Sequence, residues 1–187
     1  MIFPKDSFTR FIFILIDGAP YQVFKELIEN GTLPNIKKYV IDRGTFKKAV
    51  SVFPSTTGPA FIPFFMGLFP GTANIPGIRW LSKREFQNPH RFHRPGICSY
   101  MGIDGFSFEA DLPDTLTLFN FFSPVSNIYN LLTRGCPPSR NRTRWIKPLV
   151  YGYAHFSHRW RFVNAIAARK LLKAVEAGDE FVMCLFP

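Results

Sequence analysis

The sequence predicts an α/β fold, a mostly parallel sheet sandwiched by helices. Three observations carry that expectation. Phe11-Ile-Phe-Ile-Leu-Ile16 and Phe181-Val-Met-Cys-Leu-Phe186 are apolar at every position, as strands covered on both faces are. Between them, helical periods alternate with strand-length runs. The 16 prolines argue against a long helical bundle.

In chain order, the Phe11–Ile16 strand reads as a central one and ends at the turn signal Asp17-Gly18. A helix over Pro20–Asn30 follows, with Pro20 in its first turn, Phe24, Leu27 and Ile28 on one face, and Gly31 closing it. A second helix, Pro34–Asp42, buries Ile36, Tyr39 and Val40. Phe46–Phe53 alternates as a strand does, and Pro54-Ser-Thr-Thr-Gly-Pro59 then leads into an apolar helix of about a dozen residues closed near Gly67. Residues 69–113 have no steady period and read as a long irregular excursion. Thr115–Phe122 reads as a helix and Val125–Leu131 as a strand. Thr133–Pro148 is basic, contains proline and has no acidic residue, so it reads as a loop or lid. In the last helix Val163, Ile166, Ala167, Leu171, Ala174 and Val175 fall at offsets 0, 3, 4, 8, 11 and 12, one face of a 3.6-residue period. Gly178 ends that helix before the Phe181–Phe186 strand. The whole of 1–187 reads as part of a single domain.

Composition narrows the partners. Apolar residues make up 47% and Phe alone numbers 22, enough for a sizeable core. The net charge of +10 favours anionic partners: phosphate esters, nucleic acid or an acidic membrane face. No apolar run reaches the roughly 18–20 residues that span a bilayer, and Met1–Arg10 lacks the order of a signal peptide. Cys98, Cys136 and Cys184 are odd in number and not in C-x-x-C form. Together these point to a cytoplasmic, reducing location and away from a zinc ribbon. Asn141-Arg-Thr143 fits the glycosylation pattern by chance. No glycine-rich dinucleotide motif or P-loop is present.

Ligands of open parallel sheets sit beyond the carboxyl ends of strands. Asp17 stands at one such end. A lone carboxylate there either caps the next helix or is paired, hydrogen-bonded or metal-bound. Thr57 stands at the other, where a hydroxyl-rich turn enters a helix. It is either an N-cap or, beside a metal at Asp17, a nucleophile facing a helix end that favours anions.

The segments Phe11-Ile-Phe-Ile-Leu-Ile-Asp-Gly, Gly31-Thr-Leu-Pro-Asn-Ile, Val52-Phe-Pro-Ser-Thr-Thr-Gly-Pro and Met66-Gly-Leu-Phe-Pro-Gly together resemble the start of the type I phosphodiesterase/nucleotide pyrophosphatase family, within the alkaline phosphatase superfamily. The resemblance is specific over about 11–77 and extends over 115–187 only as an order of elements. It implies an alkaline-phosphatase-like fold and a metal-dependent hydrolase of phosphoric esters. Asp17 would be a metal ligand, Thr57 both nucleophile and metal ligand, and two zinc ions the cofactor. The implied substrate is a small phosphate ester; Gly58, beside Thr57, and Arg79, which could hold a phosphate or stack a base, are the candidate contacts. Ala60 stands where many nucleotide pyrophosphatases carry an asparagine that holds the phosphoryl group, and Gly58 replaces a bulky neighbour of the nucleophile. The family's later aspartate and histidine ligands would follow a strand like Phe181–Phe186. The resemblance therefore implies that this chain is the N-terminal portion of such an enzyme, truncated at its C-terminus.

The remaining signals are weaker. His90-x-x-His93 and His155-x-x-His158 have i, i+3 spacing but lack the H-E-x-x-H form. Gly102-Ile-Asp-Gly lacks the spacing of a calcium loop. Arg79 lies beside Trp80 and either holds a substrate phosphate or is a surface arginine next to a buried ring. Arg134–Arg144 either line an anionic pocket or form a solvated loop. A second reading of the whole is an inactive fragment that binds anions through basic loops or a protein partner through Phe-rich surface. A third, a nucleic-acid binder, has no recognition motif behind it.

Overall fold

The computed structural model describes residues 10–83, 86, 96–100 and 108–187. It is an α/β structure whose main sheet has three parallel strands: β1 (Phe11–Ile16), β4 (Val125–Ile128) and β5 (Phe181–Phe186), in the order β1-β5-β4. The short strands β2 (Arg79–Leu81) and β3 (Ile97–Ser99) form a separate antiparallel pair. The described helices are α1 (Tyr21–Glu29), α2 (Pro34–Ile36, continued by a π-turn over Lys37–Ile41), α3 (Ile62–Met66), α4 (Phe108–Asp111), α5 (Lys147–Ser157) and α6 (Trp160–Glu176). None is long and apolar enough to cross a membrane.

The central strand is β5. Phe181 pairs with Phe11 on one side and Val125 on the other, and Phe181 through Leu185 are all buried. In-register neighbours share a face, so Phe11, Phe13 and Leu15 lie with Phe181, Met183 and Leu185. An aromatic layer covers that face. Phe13 meets Phe65 at 5.7 Å, Phe65 stacks on Phe119 at 5.8 Å, and Phe122 stacks on Phe181 at 5.1 Å between centroids. Much of the unusual Phe content is spent here. On the opposite face α6 lays Val163, Ala167 and Ala174 against the sheet. The Cys184 thiol lies 3.9 Å from the Ala167 carbonyl oxygen, and burial pushes it up to about 12. It is an inert core thiol.

α6 covers β5 and β4 but leaves β1 bare. Ile12, Ile14 and Ile16 therefore remain exposed on that face. This corrects the expectation of a central Phe11–Ile16 strand: among the described residues β1 is an edge. An all-apolar run reports burial of one face as readily as of two. Phe46–Phe53 is also corrected, because it forms no ladder with any described segment, and Val50 and Phe53 are exposed. Only Phe46 is engaged, stacked on Tyr21 at 5.3 Å. Tyr39 and Val40 are likewise exposed rather than buried. The Thr57-to-Gly67 helix is shorter than expected, a 3-10 turn at Pro59–Phe61 followed by α3. Thr115–Phe122 forms a 3-10 turn at Leu118–Phe121 instead of a full helix.

In the basic segment 133–148 three arginines are tied into the fold, while Arg144 stays exposed. Asp179, fully buried at the start of β5, binds Arg140 Nη1 at 2.7 Å and Arg142 Nη2 at 2.9 Å, and it accepts a bond from the Ser126 hydroxyl. Arg134 donates to the carbonyl oxygens of Glu109, Leu112 and Pro113. Glu109 in turn accepts the backbone N–H groups of Thr133 and Arg134. Three arginines are thus consumed internally. α5, which follows this segment, starts with proline in its first turn. Its apolar side chains point both inward and outward, so no 3.6-residue polarity pattern marks it in the sequence.

Two outcomes follow. Asp179→Ala leaves two arginines without their buried counter-charge and lowers unfolding free energy by about 3–5 kcal/mol, read by urea denaturation. Lys147, whose Nζ donates to the Tyr129 carbonyl oxygen at 3.0 Å, is lowered from 10.5 to about 8 by burial. The folded state binds the proton less tightly than the unfolded chain, so the penalty is full below pH about 8 and is relieved as pH rises toward 10.5. The stability advantage of Lys147→Met over the parent should therefore be largest near neutral pH and shrink between pH 8 and 9, measured as the difference between paired denaturation curves.

Candidate functional site

Asp17 directly follows β1 at the carboxyl edge of the sheet. Its backbone N–H donates to the Phe186 carbonyl oxygen at 2.9 Å, so the end of β5 fixes where it stands. Gly18 then turns the chain at φ +68°. The N-cap of α1 is Pro20, and no side chain caps that helix, so Asp17 is not a helix cap. Its carboxylate instead receives the hydroxyl of Thr57, with Oγ1 to Oδ2 at 2.9 Å across 40 positions of sequence. Thr57 is not a cap either, because the N-cap of the following 3-10 turn is Gly58, also without a side-chain bond. Both hydroxyl and carboxylate are accounted for by each other.

The turn that presents Thr57 depends on Gly58, at φ +97° and ψ −78°. A Cβ there would stand 3.5 Å from the Phe108 ring and 3.7 Å from Leu131. The contact is ordinary, but the backbone conformation is one that L side chains rarely adopt. Conformation alone therefore accounts for glycine beside Thr57. Pro59 offers no N–H, and the Ala60 and Phe61 amides are already bonded to the Thr56 and Gly58 carbonyl oxygens. The Gly58 N–H is left without an acceptor among the described residues.

Arg79 is exposed on β2, and no described hydrogen bond or ion pair ties it to Asp17 or Thr57. The neighbouring Trp80 packs on Tyr100 at 5.0 Å between centroids, which is the surface-arginine, packed-ring arrangement. His90, His93 and the Gly102–Gly105 segment lie outside the described residues. His155 packs edge-on against Trp160 at 4.9 Å. His158 sits past the end of α5 with φ +56°, so the two histidines do not share a helix face.

No family model, curated protein or solved structure matches this chain.

Sequence reasoning missed the polar group beyond β4, on the same carboxyl edge. Tyr129 follows the strand with φ +61° and packs on Tyr151 of α5 at 5.3 Å. Burial pushes the Tyr129 phenol up to about 12. The Tyr151 phenol is raised further by burial, with the Tyr129 phenol and the Asp17 carboxylate adding to the effect. Asp17 is therefore within electrostatic reach of this ring. The side-chain oxygens of Asn127, Tyr129, Asn130 and Tyr151 are buried without a partner. Two tyrosines far apart in an apolar-rich sequence carry no local signal of such a meeting.

The donors present can be compared with the implied metals. Asp17 and Thr57 offer two oxygens close enough to share one hard cation, as carboxylate sites that also use substrate oxygens do. No group of three or more His, Cys, Asp and Glu side chains converges among the described residues. They therefore fit one shared cation and do not supply the six to eight or so ligands of a two-zinc centre.

Gly58→Ala should cost about 1–3 kcal/mol through the backbone conformation. The measurement is the urea midpoint, with Ala60→Gly as a control at a neighbouring position that has no such φ.

Proposed function

We propose that the chain is a metal-dependent hydrolase of phosphoric esters with Thr57 as nucleophile, built on an alkaline-phosphatase-like arrangement. The observation that carries the reading is the 2.9 Å contact between the Thr57 hydroxyl and the Asp17 carboxylate at a strand end. A threonine and a carboxylate at hydrogen-bond distance are the minimum pair for an activated hydroxyl.

Asp17 holds the hydroxyl hydrogen at Oδ2 and so directs a lone pair of Oγ1 away from the carboxylate, toward an incoming phosphorus. Asp17 and Thr57 would hold a divalent cation, zinc by family resemblance, whose charge would favour ionisation of the hydroxyl near neutral pH. The hydroxyl hydrogen passes to the Asp17 carboxylate as Thr57 Oγ1 forms the bond to phosphorus; the bond from phosphorus to the ester oxygen breaks on the opposite side, that oxygen takes a proton from solvent, and water hydrolyses the resulting phosphothreonine. The Gly58 N–H, adjacent to the nucleophile and without an acceptor among the described residues, would donate to a phosphoryl oxygen as its charge develops. Ala60 adds no donor, so the phosphoryl group is held by backbone and cation rather than by an amide side chain. The remaining ligands of a second cation would come from outside the described residues.

The test is turnover of 4-nitrophenyl phosphate and bis(4-nitrophenyl) phosphate with added zinc. Thr57→Ala should lower it by at least about a hundred-fold, Asp17→Asn by a similar factor, and a chelator should abolish it. Acid-quenched parent protein should carry phosphate on Thr57. Unchanged turnover in Thr57→Ala, or a parent protein with no zinc-dependent turnover, would remove the basis for the assignment.

A further inference from the structure

We propose that the outer face of α5, with the adjoining cations of α6, is a docking surface for an anionic lipid bilayer. Leu149, Tyr153 and Phe156 recur at offsets 0, 4 and 7 along α5 and point away from its buried Val150 and Ala154. Leu149 is 78% exposed and Phe156 92%, and Trp145, just before the helix, is 80% exposed. Phe162 at the start of α6 extends the row, meeting Tyr153 at 5.6 Å between centroids. Single exposed apolar side chains are ordinary, but a contiguous row of large ones on one helix is not.

The segment that carries this row has charge of one sign. From Thr115 to Val175 the chain carries no Asp or Glu, and all of its formal charge there is basic. Two sets stand out among those cations. Arg134, Arg140 and Arg142 are bound to internal acceptors. Arg144, Arg169, Lys170 and Lys173 have no ion pair among the described residues. Three of these line a groove of about 310 Å³ with Ile146 and Ile166, and Ile146 is the residue next to Trp145. Arg144 lies over the Trp145 ring at 5.1 Å. Arg159, at the other end of α5, reaches the Tyr153 hydroxyl at 3.5 Å. Cations thus adjoin the apolar row at both ends.

This composition matches an interfacial helix. Aromatic and leucine side chains enter the boundary between headgroups and acyl chains, while Lys and Arg meet lipid phosphates and carboxylates. A nucleic acid would satisfy the cations but leave Leu149 and Phe156 in water. An acidic bilayer accommodates both sets together. With α5 only 11 residues long, attachment would be peripheral and reversible, and it requires none of the chemistry proposed at Thr57.

Co-sedimentation with phosphatidylcholine vesicles, with and without phosphatidylserine, tests the assignment. The protein should partition onto the phosphatidylserine vesicles and be released by salt. Lys170→Gln/Lys173→Gln should weaken partitioning roughly thirty-fold, at about 1 kcal/mol per cation. Leu149→Ser/Phe156→Ser should weaken it as well, with thermal melting confirming that both variants fold. Equal binding to neutral vesicles, no binding to either, unchanged partitioning of both variants, or retention of a single-stranded oligonucleotide without vesicle binding each overturns it.

Discussion

The parallel ladder along β5 is the constraint on which the rest of the structure depends. Because Phe11 and Val125 both register on Phe181, the ends of all three strands open on one edge. Asp17 and Tyr129 are thereby brought to neighbouring corners of that edge, although 112 positions separate them in sequence. The ladder forms because β5 is apolar on both faces and each face has its own cover: aromatic rings from one side, the small side chains of α6 from the other. Alanines at 167 and 174 let the α6 backbone approach the sheet closely.

The two edges of the sheet are treated differently. At the amino edge, charges are neutralised in place. Asp179 gathers two guanidinium groups and a hydroxyl, which joins the 140–142 segment to the start of β5 and satisfies groups that burial would otherwise penalise. At the carboxyl edge, polar groups remain with spare capacity: the Gly58 amide, the second oxygen of the Asp17 carboxylate and the unpartnered oxygens beyond β4. A site needs unspent hydrogen-bonding capacity where a ligand arrives, and this edge has some of it, as Ser99 and Asn164 have elsewhere.

The features legible in the sequence were those encoded locally. The apolar runs of β1 and β5, the Asp-Gly turn, the period of α6 and its glycine stop each fall within a few residues. The pairing of Asp17 with Thr57 could be read because both lie beside turn signals and Asp17 ends a strand, although the strand expected before Thr57 does not form. Non-local features were hidden. Whether Phe11–Ile16 is central or an edge depends on which helix covers it. Whether Phe46–Phe53 pairs depends on a neighbouring strand, and none of the described strands takes that place. The fate of Arg140 and Arg142 depends on an aspartate 37–39 positions later. A basic loop and a buried clamp have the same composition, and only the position of the counter-charge tells them apart.

The bond from the Asp17 amide to the Phe186 carbonyl oxygen makes the carboxylate a passenger of the central strand. The position of its backbone is set by β5, which rests on α6, while the carboxylate itself meets the Thr57 hydroxyl. A loosened alanine contact on the far side of the sheet would swing the acid off line while leaving every residue around it unchanged. Packing of the core and the placement of this carboxylate are therefore linked in this chain.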